Sequence, residues 1–571
     1  MFITQIPKPP GLIGTTLLAL AALTPSTSAS ASTSAKCDPS TFTFPSTLGL
    51  QHIKTTANEV HNYTGFPNRF SEASLSTTSA STTGIPPFCN VTVSYTHPGH
   101  NDVVNVHVWL PLEKNAWNRR FMGLGGGGFV VGEVDGDAPS AAIQEGYVAA
   151  VTDGGHLAST PPDVWALRSP GNLDWPQLVN FGYRSLHELA VVGKAVLKEY
   201  YEEEEKYSYF KGCSTGGRQG LAVAQKYPGD FDGVLSMCPA VEFPAMVTSL
   251  YLGQLVMRWR GYWPSGCELG AVVAAGVESC DLGDGKRDGI IGRVGECGFD
   301  VRSAEGREFA CKGADGSKIE GRVSRKAVEI VEEVVGGVLD EEGTAMFPSY
   351  VPGTQFAGFL AMMNSVCEDE ADRTRCKGVP FSVADEWIRL FIEKDPTFDP
   401  ETMSRETFRD VFRRGVEEFD SVIGTPVPDL RRFRERGGKV LMWHGMADQA
   451  ISIKIGRGLY EKAKGIEASR GVEIEGFWRY FEVPGVNHCV SMTGAPFPWS
   501  ALKKLRSWVE NGVAPGQLDA RGFKVGEDGR VVVDEEVRRI CLYPEEGVWD
   551  GKKWVCVSPG EKISQGEKEE L

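Results

Sequence analysis

The sequence has no excess of positive charge. Among its 571 residues, 59 Lys and Arg stand against 75 Asp and Glu, which gives a formal net charge of −16. An acidic surface repels phosphate backbones, so we expect no nucleic-acid partner. The composition, 41% hydrophobic and 23% charged, is typical of a folded globular protein. The length allows one large domain with insertions, or two domains.

Long hydrophobic runs are also missing beyond the N-terminus. An apolar run from about Gly11 to Leu23 follows Lys8 and precedes a stretch rich in Ser and Ala. The run is too short to span a bilayer comfortably, and this order of segments is typical of a secretory signal peptide. We therefore expect a signal peptide over about residues 1–30, secretion into the extracellular space, and no membrane partner.

The cysteine content agrees with an oxidising destination. There are thirteen cysteines, an odd number that leaves at least one thiol unpaired. Cys238, in the apolar stretch "VLSMCPA", has the surroundings of a small buried core residue. Sequons at Asn62 ("NYT") and Asn90 ("NVT") predict surface glycosylation in a secreted protein.

Short apolar runs alternate with helical stretches from about residue 104 to 240, and the sequence shows no tandem repeat of these units. The alternation resumes after about residue 430. Strands that alternate with helices predict an α/β fold with a mostly parallel sheet covered on both faces. We expect residues 31–240 and 431–571 to form this domain, and 241–430 to be a helix-poor insertion.

A serine between glycines stands at a predicted turn from strand to helix. The stretch "GCSTG" fits G-x-S-x-G, in which glycines allow a sharp turn that lifts the Ser214 hydroxyl above the sheet. A serine hydroxyl needs a base to become a nucleophile, and in this arrangement an acidic residue and a histidine follow it in that order. Asp448 and His488 each follow a predicted strand and complete the order.

Other residues could compete for these two roles. His444 and His156 are rival bases, which we expect to be structural histidines beside the site. Asp153 and Asp429 are rival acids, and chain order disfavours Asp153, which precedes the serine.

Both ends of this candidate triad have a cysteine next to them. Cys213 directly precedes Ser214, and Cys489 directly follows His488. If the serine and the histidine are within hydrogen-bond reach, the two cysteines are close enough for a disulfide, which needs Cα atoms about 4.4–6.8 Å apart. Two unrelated cysteines are the alternative.

An acyl-transfer site also needs donors for the oxyanion that develops on the substrate. The backbone N–H of Thr215 is one expected donor, and the glycine run "GLGGGGF" offers Gly126 or Gly127 as the second. The alternative is that this run is only a flexible turn.

The stretch "CDLGDGKRDGIIG" places acidic residues between glycines. Asp281, Asp284 and Asp288 supply hard oxygen ligands, and the carbonyls of Lys286 and Ile290 could complete a calcium shell. The spacing is not that of an EF-hand, and an acidic solvated turn is the alternative. We assign the metal no catalytic role.

The motifs "GCSTGGRQG", "HGMAD" and "NHC" together resemble those of the tannase and feruloyl esterase family, over roughly Cys37 to Cys556. The resemblance implies an α/β-hydrolase domain with a large inserted lid, the triad Ser214, Asp448 and His488, and lid calcium at the five residues above. It also implies disulfides at Cys213–Cys489, Cys37–Cys89, Cys280–Cys297 and Cys541–Cys556. Cys267, Cys311, Cys367 and Cys376 stay unplaced, although proximity favours Cys367–Cys376.

By the same resemblance, we expect hydrolysis of phenolic acid esters. Feruloyl or coumaroyl esters of plant cell-wall polysaccharides come first, and galloyl esters of tannins second. The alternative from another class is a non-catalytic secreted binding protein, which would have no reason to keep all three triad residues and both cysteines. Monomer and homodimer both remain open.

Overall fold

A mixed sheet of nine strands forms the centre of the described structure. The computed structural model describes residues 37–63, 85–134, 137–312, 318–348, 350–367, 373–425, 427–525 and 531–561, so the expected signal peptide lies outside it. The strands are Gln51–Val60 (β1), Phe88–Thr96 (β2), Val104–Pro111 (β3), Arg120–Leu124 (β4), Val148–Thr152 (β5), Tyr207–Cys213 (β6), Gly233–Met237 (β7), Lys439–Gly445 (β8) and Trp478–Val483 (β9). Their order across the sheet is β1-β2-β3-β5-β4-β6-β7-β8-β9.

Most of this sheet is parallel, as the alternation of elements predicts. The strands from β5 to β9 in the sheet order pair in parallel, whereas β1, β2, β3 and β5 pair antiparallel. Successive residues of β8 belong to two different buried clusters: Val440 and Met442 to one, Leu441 and Trp443 to the other. Because side chains alternate between faces along a strand, this pattern shows that both faces of the sheet are covered.

Helices cover the sheet and also fill the segment between β7 and β8. Those of seven or more residues are Asp137–Gln144 (α1), Ser185–Tyr201 (α2), Thr215–Lys226 (α3), Phe243–Ser249 (α4), Leu252–Arg260 (α5), Gly266–Cys280 (α6), Arg325–Gly336 (α7), Arg405–Phe419 (α8), Ile453–Ala468 (α9) and Ala501–Asn511 (α10). Five of them, α4 to α8, lie in the segment expected to be helix-poor, so that expectation is wrong.

The physical reason is visible in α8. Its sequence "RETFRDVFRRGVEEF" is dominated by charge, yet Phe408, Val411, Phe412 and Phe419 are buried. They recur at helical spacing and form one apolar stripe, while the charged residues occupy the other face. A high content of Arg and Glu is therefore compatible with an amphipathic helix, which the spacing of the apolar residues indicates and the composition does not.

Shorter elements complete the described chain. The short helices are Pro162–Trp165, Trp175–Val179, Ser382–Glu386 and Arg431–Glu435. Two-stranded ladders pair Leu167–Ser169 with Asn172–Leu173, Glu308–Lys312 with Lys318–Arg322, Val338–Leu339 with Ala345–Phe347, Asn364–Cys367 with Cys376–Val379, Gln517–Ala520 with Arg538–Cys541, Phe523–Val525 with Val531–Val533, and Glu546–Trp549 with Trp554–Val557. In the described ranges, no helix has both the length and the apolar character needed to cross a bilayer. The described residues form one compact unit, and the division into 31–240, 241–430 and 431–571 stays a prediction.

A buried histidine ties α2 to the antiparallel edge of the sheet. His97 follows β2, and its two ring nitrogens lie 2.7 Å from the Asp102 carboxylate and 2.8 Å from the Glu188 carboxylate. Tyr95 donates a further hydrogen bond of 2.7 Å to Glu188. Burial opposes the charged imidazole, but the two carboxylates outweigh it and raise the pKa of His97 to about 9.

We predict that His97 stabilises the fold in a pH-dependent way. Its folded-state pKa lies above the unfolded value near 6.5, so its contribution is complete below about pH 6.5 and is lost as the pH rises towards 9. His97→Gln should therefore lower the free energy of unfolding by on the order of 2–3 kcal/mol at pH 6, and by much less at pH 9.5. Urea unfolding at both pH values measures this, with the exposed His61→Gln as control. An equal loss at the two pH values would contradict the prediction.

Candidate active site

Ser214 occupies a sharp turn between β6 and α3. Its backbone angles are φ 62° and ψ −125°, in a region that non-glycine residues rarely adopt. A Cβ on Gly212 would lie 2.4 Å from the carbonyl carbon of Gly216, so the two glycines allow the backbone to fold back on itself. The N–H of Ser214 donates to the Met237 carbonyl at 3.0 Å and fixes the turn to the end of β7.

Asp448 and His488 form a buried hydrogen-bonded pair. The Nδ1 atom of His488 lies 2.8 Å from Asp448 Oδ2, while Asp448 Oδ1 accepts the N–H groups of Ala450 and Ile451 at 2.9 and 2.7 Å. Burial would raise the pKa of Asp448, but the adjacent His488 and His444 hold it below its usual range. The carboxylate therefore stays charged and can stabilise an imidazolium.

A disulfide brings the serine turn and the histidine loop together. Cys213 and Cys489 are bonded, with their Cα atoms 6.0 Å apart. The described structure shows no hydrogen bond between the Ser214 hydroxyl and the His488 imidazole. Such catalytic bonds are often long without substrate and tighten when it binds.

The rival bases and acids are engaged elsewhere. His156 lies between the Phe129 carbonyl and the Gln177 amide, at 2.9 Å from each, and stacks on Trp165. Asp153 accepts hydrogen bonds from Asn105, at 2.9 Å from its N–H and 2.6 Å from its side-chain amide.

The remaining rival acid, Asp429, forms an ion pair with Arg470 at 2.7 Å. His444 is fully buried beside Asp448 at 3.3 Å, and its Nε2 donates to the Ile451 carbonyl at 2.9 Å. It therefore supports the carboxylate rather than reaching the serine turn.

Cys238 follows β7 and is fully buried, without a covalent partner. Its sulfur, the Asp448 carboxylate and the His444 ring lie within 4.8 Å of one another. Burial first, and then the Asp448 charge, raise the pKa of the thiol well above its usual value. The sequence correctly indicates a buried core residue but gives no sign of this contact with the carboxylate.

Gln449 is a second residue of the site that the sequence does not single out. Its side-chain oxygen accepts the backbone N–H of His488 at 3.1 Å, and its side-chain nitrogen donates to the Phe359 carbonyl at 3.0 Å. The side chain is fully buried. It therefore links the histidine loop to the segment inserted between β7 and β8, a contact between distant parts of the chain that has no local sequence signal.

The glycine run packs directly against the serine turn. Gly216 donates its N–H to the Gly126 carbonyl at 2.9 Å, and Thr215 donates its hydroxyl to the Gly128 carbonyl at 2.7 Å. The N–H of Gly126 itself donates to the Gln219 side chain at 3.2 Å. Of the two expected oxyanion donors in this run, Gly126 is thus already engaged. A Cβ on Gly127 would meet open space.

The acidic loop lies between α6 and the C-terminal hairpins. Asp281 Oδ1 accepts three backbone N–H groups, those of Asp288, Gly289 and Ile290, at 2.9–3.2 Å. Arg538 donates to the carboxylates of Asp284 and Asp288. Burial, partly offset by Arg538, raises the pKa of Asp284 to about 6.

The sequence model described as "Tannase and feruloyl esterase" matches residues 89–559. The chain belongs to the tannase and feruloyl esterase family. Its members are carboxylic ester hydrolases, and so is this chain.

Individual relatives agree with this assignment. A probable feruloyl esterase of Arthroderma benhamiae is 36% identical over 462 residues, which cover 80% of this chain and 82% of the relative. A tannase of Aspergillus oryzae is 26% identical, covering 83% of this chain and 86% of that enzyme. The solved tannin acyl hydrolase of Aspergillus niger superposes with a TM-score of 0.80 at 27% identity, covering 91% of this chain and 95% of that one. The fold of this esterase is accordingly that of an α/β-hydrolase with a large insertion.

All thirteen cysteines of the esterase lie in described residues, and twelve of them pair. Besides Cys213–Cys489, the structure contains the disulfides Cys37–Cys89, Cys280–Cys297 and Cys541–Cys556, at the positions that the family resemblance implies. The cysteines left unplaced pair as Cys267–Cys311 and Cys367–Cys376.

We predict that the Cys213–Cys489 bridge supports both stability and activity. The double variant Cys213→Ala/Cys489→Ala should lose up to about 4–5 kcal/mol of unfolding free energy, because the bridge closes a loop of some 276 residues. It should also lose about 10²-fold in kcat/KM, because the serine turn and the histidine loop lose their fixed spacing. Thermal melts and ester hydrolysis measure the two effects.

The matched control is Cys541→Ala/Cys556→Ala, which removes a bridge between residues 15 apart that joins the strand Arg538–Cys541 to the strand Trp554–Val557. This control should lower stability while it retains kcat/KM. Peptide mapping of the native protein that finds Cys213 or Cys489 free, or bonded elsewhere, would refute the pairing.

Proposed function

We propose that this esterase hydrolyses esters of phenolic acids by an acyl-enzyme mechanism, with feruloyl or coumaroyl esters of plant cell-wall polysaccharides as its main substrates. One observation carries the proposal: the Cys213–Cys489 disulfide holds the Ser214 turn beside the loop of His488, whose imidazole Asp448 orients. The 36% identity to a probable feruloyl esterase supports the feruloyl group as the preferred acid.

In the first half of the reaction, the Ser214 hydroxyl attacks the ester carbonyl carbon. His488 Nε2 takes the hydroxyl proton, and Asp448 stabilises the imidazolium that forms. His488 then gives the proton to the departing alcohol, and the acyl group stays on Ser214. In the second half, His488 activates water in the same way, and the free acid leaves.

Two backbone N–H groups stabilise the oxyanion in this proposal. Thr215 supplies one, because its N–H follows the nucleophile at the start of α3. Gly127 supplies the other rather than Gly126, because the Gly126 N–H donates to Gln219. Removing one such donor from a serine hydrolase typically costs about 10²–10³-fold in kcat.

Galloyl esters of tannins are the second candidate substrates. The structural likeness to tannin acyl hydrolase of Aspergillus niger, at a TM-score of 0.80, favours them. The triad chemistry is the same for both acids, so the choice between them depends on the residues that contact the acyl ring.

We predict that the purified enzyme hydrolyses methyl ferulate, and that Ser214→Ala lowers kcat/KM by at least about 10⁴-fold, because no other nucleophile replaces the hydroxyl. A parallel assay with methyl caffeate, methyl sinapate and methyl gallate ranks the acyl groups. A higher kcat/KM for methyl gallate than for methyl ferulate would make the enzyme a tannase. Equal inertness of wild type and Ser214→Ala towards all four esters would favour a binding protein instead.

We further propose that the enzyme is secreted and glycosylated. Six disulfides suit an oxidising compartment. Of the two sequons, Asn62 is exposed, whereas Asn90 lies within β2 with its side-chain oxygen buried. Asn62 is therefore the better glycan acceptor.

We also propose that the acidic loop of the insertion binds a structural calcium ion. Asp281, Asp284 and Asp288 would hold it, together with the carbonyls of Lys286 and Ile290. Asp281 and Asp284 are buried, and burying carboxylates is costly unless cations or hydrogen bonds compensate them. Carboxylate and carbonyl oxygens are the ligands that calcium prefers. The ion would stabilise the loop between α6 and the C-terminal hairpins without taking part in the reaction.

We predict that a chelator lowers the melting temperature of the native enzyme by several degrees, because a ligand bound to the folded state alone adds to its stability. Asp288→Asn should melt at a lower temperature and respond much less to the chelator. An unchanged melting curve of the native enzyme, together with no calcium by elemental analysis, would rule out the site.

A further inference from the structure

A large apolar side chain of the insertion is exposed beside the histidine loop. Phe359 is 68% exposed, and its carbonyl oxygen accepts the Gln449 side-chain N–H at 3.0 Å. The same amide group accepts the backbone N–H of His488 at 3.1 Å. One side-chain amide therefore separates the backbone of Phe359 from that of the general base.

The turn that presents Phe359 is held in one conformation. The Asn364 side chain accepts the N–H of Gly358 at 2.7 Å and donates back to its carbonyl at 2.9 Å. Gln254, itself buried, donates to the Asn364 carbonyl at 3.1 Å. Leu360 adopts φ 58°, a left-handed conformation that costs a non-glycine residue free energy.

These features set Phe359 apart from an ordinary exposed residue. Apolar side chains scattered singly on a surface are common and need no explanation. Phe359 differs because Leu360 in its turn is strained, because the Asn364 side chain fixes the turn, and because Gln449 links the turn through two hydrogen bonds to the backbone of His488. A hydrogen-bonded turn that carries an exposed phenyl ring, with its backbone two hydrogen bonds from that of His488, is suited to contact a planar aromatic group of a bound substrate.

We propose that Phe359 is a specificity-determining residue that packs against the aromatic ring of the acyl group of the bound ester. This inference rests on the proposed function as a phenolic acid esterase. The contact is made in the ground state and in the transition state alike, so it lowers KM for aromatic acyl esters and leaves kcat nearly unchanged. Aliphatic acyl esters gain nothing comparable from it.

The test compares two esters of the same alcohol, methyl ferulate and methyl butyrate, in wild type and Phe359→Ala. The variant should raise KM for methyl ferulate by about three- to tenfold, with little change in kcat, and leave KM for methyl butyrate unchanged. The inhibition constant of ferulic acid should rise by the same factor. Retained hydrolysis of methyl butyrate shows that the variant is folded.

Three further variants sharpen the test. Phe359→Trp keeps an aromatic ring and should retain the low KM for methyl ferulate. Phe359→Leu keeps only apolar volume and should give an intermediate value. Leu339→Ala, which truncates another exposed apolar residue of the insertion, should change neither ester.

The outcomes separate this inference from the proposed function. A Phe359→Ala variant that changes KM equally for both esters, or for neither, overturns the role of Phe359 and leaves the esterase activity standing. A wild type that fails to hydrolyse methyl ferulate, even at high enzyme concentration, overturns the proposed phenolic substrate and this inference with it.

Discussion

The spacing of strands in the sheet separates the strand ends that precede Ser214 and His488, and the Cys213–Cys489 bridge holds the two loops together across that distance. Ser214 follows β6 and His488 follows β9, and two strands lie between them in the sheet. At about 4.8 Å per strand, the two strand ends are roughly 14 Å apart, far beyond hydrogen-bond reach. The loops must therefore converge above the ends of β7 and β8, and a covalent bond between their neighbouring residues holds that convergence at a Cα separation of 6.0 Å.

The insertion takes part in this arrangement instead of standing apart from it. Gln449 joins the Phe359 turn to the histidine loop, and Arg538 joins the acidic loop after α6 to a C-terminal hairpin. The insertion therefore contacts the loop between β8 and β9 as well as a strand that follows β9 in the chain. In the role proposed for Phe359, substrate selectivity varies through the insertion, while Ser214, Asp448, His488 and the sheet stay unchanged.

Local chemistry explains which features could be predicted from the sequence. Short stretches of sequence contain the glycines around Ser214 and the strand ends before Asp448 and His488. The cysteines next to Ser214 and His488 lie in the same stretches. The helices of the insertion were missed because charge in α8 outweighs its apolar stripe in composition, though not in spacing. Gln449 could not be found, because its two partners lie 39 and 90 residues away in the chain. The antiparallel strands β1 and β2 likewise carry no motif that distinguishes them.

Cys238 is a free cysteine in the same region as the Cys213–Cys489 bridge. A free thiol can attack a disulfide and rearrange it. Thiol–disulfide exchange requires a thiolate, so its rate decreases when a smaller fraction of the attacking thiol is ionised. Burial of Cys238, next to the Asp448 carboxylate that stays charged, raises the pKa of its thiol and keeps it protonated. The same carboxylate that is hydrogen-bonded to His488 thus adds to the effect of burial on the Cys238 thiol. The buried charge of Asp448 therefore has two effects: it holds the His488 imidazole in place and, together with burial, it keeps the Cys238 thiol protonated.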